Sequence, residues 1–96
     1  MSPNNKKKLN IIRVKLDKLD NKLLSLIKIR TRLVKEVLNL KEFKKEIVDQ
    51  KRIKFILNKI KGKSKKLKID PKITNRIWKN MIWSYIDFER RNFKKK

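Results

Sequence analysis

The chain has no cysteine and no histidine. Without cysteine there is no disulfide and no thiolate metal site. Without histidine the commonest general base, the commonest zinc ligand and every Ser–His or Cys–His nucleophile are excluded. Alanine is absent, glycine occurs once and proline twice, so few positions break a regular backbone. No run approaches the ~20 apolar residues needed to span a bilayer. The opening "MSPNNKKKLN" is basic but no apolar run follows it, unlike a secretory signal. The expectation is a soluble, cytoplasmic protein with no metal and no membrane partner.

Positive charge is abundant. Of 96 residues, 31 are Lys or Arg and 9 are acidic, a net charge of +22. Clustered cations gain affinity for polyanions by counterion release, which makes nucleic-acid binding the first reading. The kind of cation argues against it. Lysines number 24 and arginines 7, beside abundant Ile and Asn, a pattern of A/T-rich codons in which Lys is default surface filler. Nucleic-acid binding is therefore not expected to be functional, and each scarce Arg is informative. At this length the chain makes a single domain with a modest core, expected over 1–96 with basic, disordered tails at 1–8 and 92–96.

Leu9, Ile12, Leu16, Leu19, Leu23, Leu26, Arg30, Leu33, Val37 and Leu40 follow alternating steps of three and four, a heptad seam. One helix from about Asn5 to Lys41 follows, and its part from Leu9 on would be roughly 50 Å long. The rest of the chain is too short to cover it, so a partner subunit is expected. "KEFKKEIVDQKR" ends the seam. Asp49 is an expected N-cap for a second helix carrying Ile53, Ile56, Leu57 and Ile60. That helix is expected to fade in "KGKSKKLK", with Gly62 and Ser64 marking a loop. "IDPK" starts a third, with Asp70 as N-cap and Pro71 at the first helical position. Its apolar face is Ile73, Ile77, Trp78, Met81, Ile82, Tyr85, Ile86 and Phe88 or Glu89. The fold class is all-α: three helices, the first very long, in a dimeric bundle.

Arg30 sits on the seam, where an apolar side chain belongs. Lys41 lies 11 residues on, nearly on the same face and roughly 16 Å away by helical rise, so the two cations can line an anion pocket. Arg30 can equally run its charge out to solvent along its stem, pair with a carboxylate across the bundle, or set register. Arg13, also beside the seam, is roughly 25 Å from Arg30 along the axis. For both to serve one site, Arg13 must come from a second chain. Tyr85 and Glu89, four apart, share a face of the third helix. Ordinary packing for Tyr85, a salt bridge for Glu89, and a cap plus a surface cation for Asp49 and Arg52 are the competing readings.

The combination resembles the all-helical class of chorismate mutases from about Leu9 to Phe93. The residues that carry it are Arg13, "LDKLD", Leu23-Leu24, Arg30, Leu33-Val34, Lys41, the "DQKR" of Asp49 and Arg52, and "IWKNMIWSYIDFE". The resemblance implies an intertwined homodimer with two equivalent sites and the pericyclic rearrangement of chorismate to prephenate, on the shikimate route to aromatic amino acids. It implies no cofactor, nucleophile or general base. Arg30 and Arg13 of the partner subunit would grip the two substrate carboxylates. Lys41 would donate to the breaking ether oxygen. Asp49 and Arg52 would shape the end near the ring hydroxyl, with Tyr85 and Glu89 completing the site and Lys41, Glu89 and Arg30 catalytic.

Three positions depart from the family pattern. Ile53 stands where a Glu follows the second-helix Arg, Tyr85 where a Ser is usual, and Glu89 where a Gln assists Lys41. An ionised Glu89 would repel charge developing on the ether oxygen, whereas a protonated one donates to it, so turnover is expected to rise toward mildly acid pH. An apolar residue at Ile53 with Tyr85 also resembles the isochorismate-pyruvate lyases, the alternative enzyme reading. A non-catalytic basic helical protein that binds nucleic acid is the third.

Overall fold

The computed structural model describes residues 1–94. It is all-α, with α1 at Pro3–Leu40, α2 at Gln50–Lys66, α3 at Pro71–Asn92, and a 3-10 turn at Lys44–Glu46 between α1 and α2. Two compact units divide the chain, Met1–Leu33 and Val34–Lys96.

The first unit is the greater part of α1. It begins earlier than the sequence suggested. The Ser2 hydroxyl accepts the Asn5 N–H at 3.2 Å, and Pro3 occupies the first helical position, where its missing N–H costs nothing. Residues 3–8, expected as tail, are therefore helical. The seam residues Ile12, Leu16, Leu19, Leu23, Leu26 and Leu33 are all exposed in the single chain.

The second unit holds the core. Leu38, Ile47, Ile82 and Ile86 are buried together, and Val48, Ile53, Ile56, Leu57 and Phe93 pack against them. Leu38 is not a seam residue. The neighbouring seam positions Val37 and Leu40 are exposed, so the face of α1 that packs within this unit is not the heptad face. Ile73 and Ile77, expected on the packed face of α3, are likewise exposed. Phe93, expected in a tail, packs on the core; Lys95 and Lys96 of that tail lie outside the described residues.

Both expected caps form. Asp49 accepts the Arg52 N–H at 3.0 Å, and Asp70 accepts the Lys72 N–H at 2.9 Å ahead of Pro71. The end of α2 differs from expectation: Gly62 and Ser64 lie inside the helix, which runs to Lys66. Ser64 is buried. Its hydroxyl donates to the Ile60 carbonyl at 2.6 Å and meets the Thr74 hydroxyl at 2.7 Å, tying α2 to α3.

Candidate active site

Lys41 immediately follows α1, and Glu89 lies in the last turn of α3. They meet across the second unit: Lys41 Nζ donates to Glu89 Oε1 at 3.0 Å. Their side chains are only 18% and 8% exposed. Local sequence explains the placement. α3 buries Ile82, Ile86 and Glu89 at steps of four and three, so the carboxyl projects from the face that carries the core. On α1 Leu38 anchors the last turn, and the Lys41 N–H still bonds the Leu38 carbonyl at 3.1 Å, which ties Lys41 to that anchor. A buried carboxylate or ammonium is costly alone. Here each is the other's partner, and among the described residues no buried side-chain nitrogen or oxygen lacks one.

The segment between Lys41 and α2 is held by Glu46, whose Oε2 accepts the N–H groups of Glu42 at 2.8 Å and Phe43 at 3.1 Å. The Phe43 bond, then the Glu42 bond, holds the Glu46 carboxyl below its ordinary value of 4.5 against an opposing desolvation, with Lys41 and Lys45 adding lesser attractions.

The other second-unit candidates are more open. Tyr85, one turn before Glu89, is half-buried, and Asp49 and Arg52 are exposed. Asp49 is engaged as the cap of α2. The Arg52 guanidinium lies 5.3 Å from the centroid of the Phe55 ring, which Lys59 also approaches at 5.7 Å. The sequence signal for this contact is the place of Phe55 three residues after Arg52, on the same helix face. Ile53 turns inward against the core. Ser84 is exposed and bonds the Asn80 carbonyl at 2.7 Å, so it does not replace the Ser absent at Tyr85. Lys35 Nζ stands 6.0 Å from the centroid of half-buried Phe88. In the first unit, Arg13 is exposed and Arg30 is half-buried.

Chemically, the second unit offers a sheltered ammonium oriented by a buried carboxylate. Among the described residues no cluster of His, Cys, Asp and Glu could hold a metal, and no helix is long and apolar enough to cross a membrane.

No curated protein and no solved structure matches the chain. The profile of one family, chorismate mutase type II, matches residues 12–90. That span takes in all seven candidate residues and both units. A helical chain with a sheltered Lys41–Glu89 pair, matched over most of its length, belongs to the chorismate mutase type II family.

Proposed function

We propose that the chain rearranges chorismate to prephenate, with Lys41 as the donor to the breaking ether oxygen and Glu89 as the group that orients it. The observation that carries this reading is the sheltered Lys41–Glu89 pair within a chain matched to the family over residues 12–90.

In the reaction the ether C–O bond of the substrate breaks while a C–C bond forms between the enolpyruvyl methylene and the ring. Electrons move around a six-atom cycle, and no proton has to be transferred. The protein's task is to hold a flexible dianion in its reactive shape and to meet the negative charge that grows on the ether oxygen. A chain without His or Cys is equipped for that. Lys41 is pre-oriented in a site of low exposure, where an ammonium acts more strongly than in water. Arg30 and Arg13 of the partner subunit take the two carboxylates, to which the guanidinium fork is suited. Arg52 and Asp49 border the ring-hydroxyl end, and Tyr85 lines the site beside Glu89. These roles rest on the sequence resemblance. The homodimer they require is supported by the exposed heptad seam of α1. Ile53, packed on the core where the family pattern has Glu, favours a second reading, pyruvate elimination from isochorismate on the same scaffold.

The test is a side-by-side assay of purified protein, following chorismate to prephenate and isochorismate to pyruvate. Prephenate formation, abolished by Arg30→Ala with helicity retained, is expected. Pyruvate release with little prephenate would transfer the chain to the lyase reading. Neither activity between mildly acid and neutral pH would overturn both.

A further inference from the structure

The last turns of α2 and the turn that joins it to α3 carry a dense run of positive charge. From Lys59 to Lys72, seven of fourteen residues are lysine and one, Asp70, is acidic, a net charge per residue roughly twice that of the remainder. Asp70 is engaged as the cap of α3.

The backbone of this turn is unusual. Lys68 has φ 58°, and among the described residues no other non-glycine has positive φ. Its N–H bonds the Lys65 carbonyl at 3.2 Å, and the Ile69 N–H bonds the Ser64 carbonyl at 2.9 Å. That pair of bonds is a Schellman ending, whose left-handed position normally takes Gly or Asn. A side chain with a Cβ is disfavoured there, yet a lysine occupies it. Backbone strain of this kind points to a use for the side chain that bears it.

Apolar side chains are exposed among these cations. Leu67, the residue before Lys68, is 71% exposed, and Ile69 is also exposed. On the first turns of α3, Ile73 and Ile77 are exposed and share a shallow depression with Lys72 and Arg76.

We propose that this turn docks on the surface of an anionic lipid bilayer, its lysines among the headgroup phosphates and Leu67 and Ile69 at the acyl boundary. A bilayer interface accepts cations and branched aliphatics together. A nucleic acid would use the lysines but leave the aliphatics idle, and residues 56–77 contain no aromatic side chain on which a base could stack. Lysine's single mobile charge suits a diffuse headgroup layer better than a bidentate site. Attachment through charge and shallow insertion is reversible and weakens as salt rises. None of the residues assigned to the chemistry lies in this turn, so the surface is open to test independently of the reaction.

The test is co-sedimentation of the full chain with phosphatidylcholine vesicles and with vesicles of equal parts phosphatidylcholine and phosphatidylglycerol. Binding to the mixed vesicles alone, decreasing with salt, is expected. Lys68→Gly and Leu67→Ser should each weaken it several-fold. Lys68→Gly should keep or raise the melting temperature, because glycine relieves the left-handed position, so its loss of binding would not reflect misfolding. A control that removes three charges elsewhere, Lys6→Gln with Lys7→Gln and Lys8→Gln, should bind like the parent. Equal binding to neutral vesicles, no binding to either, or a control as weak as Lys68→Gly would overturn the proposal. So would unchanged binding by Leu67→Ser with full displacement by a DNA duplex, which would make the surface a phosphate-polymer site instead.

Discussion

The Lys41–Glu89 contact ties α3 to the end of α1, and in the proposed reaction the same contact would serve the chemistry. With side chains 18% and 8% exposed, neither charge is well solvated, and each is tolerable because the other is there. Removing one partner of such a pair costs roughly 3–5 kcal/mol, while replacing both by apolar side chains of similar size is often neutral. Lys41→Ala is therefore expected to lose turnover and to lower the melting temperature, leaving a carboxylate stranded. Lys41→Met with Glu89→Leu is expected to recover most of the melting temperature and none of the turnover. If the double variant kept activity, Lys41 would be a structural ion pair only. Glu89→Gln probes the other half of the pair. A Gln amide can still accept from Lys41 and adds a neutral donor without a negative charge beside the ether oxygen, so Glu89→Gln is expected to keep or raise turnover. Loss of turnover in Glu89→Gln with an unchanged melting temperature would count against this role. The sequence points to both residues, to Lys41 by its place after the seam and to Glu89 by its helix face. Their pairing could not be read from spacing, because 48 residues separate them and only the packing of α3 onto the core sets the distance.

At the scale of elements, the legible features were those whose cause is local. Asp49 and Asp70–Pro71 cap their helices as their residue types dictate. Ser2–Pro3 is the same kind of signal at the start of α1, obscured by the run of charge after it. The end of α2 departs from the sequence expectation because Gly62 and Ser64 are turn residues by local preference. Burial overrode preference here: Ser64 is drawn into the α2–α3 contact by Thr74 and Ile60, and the helix continues through Gly62. Nothing lies within 4 Å of a Cβ built on Gly62, so its flexibility is a cost without a steric reason. Gly62→Ala is expected to stabilise the fold by about 0.5–1 kcal/mol, seen as a melting temperature a few degrees higher. The turn after Lys41 was not legible at all, because it depends on Glu46 reaching back to two N–H groups. Its folded carboxyl titrates below the unfolded value. Its contribution is therefore present above that unfolded value and is lost as pH falls through the folded one. Protection of the Glu42 and Phe43 amides, relative to their intrinsic exchange at each pH, should fall on acidification in the parent and show no such step in Glu46→Gln.

For the whole molecule, the informative mismatch lies between the face of α1 that is patterned and the face that is used. Within the second unit Leu38 is buried while seam residues Val37 and Leu40 are not, and in the first unit every seam residue from Ile12 to Leu33, apart from half-buried Arg30, is exposed. A heptad seam of this regularity is built for another helix, and so large an exposed apolar surface is rare on a monomer. Fold class and helix order were readable from one chain; the cover for the seam is not a property of one chain. If a second copy supplies it, stability must rise with protein concentration, and Leu23→Asp with Leu26→Asp should yield a monomer with reduced helicity and no turnover. The proposed contribution of Arg13 to the partner's site permits a sharper test. Arg13→Ala and Lys41→Ala homodimers should each be inactive. Unfolded and refolded together, they form mixed dimers in which one site combines the intact Lys41 of the first chain with the intact Arg13 of the second. With random pairing, half the dimers are mixed and half their sites are whole, so about a quarter of the parent's activity should return. If Arg13 instead served the site of its own chain, no combination of these two chains would contain a whole site and mixing would restore nothing. The recovered fraction therefore reports which chain supplies Arg13.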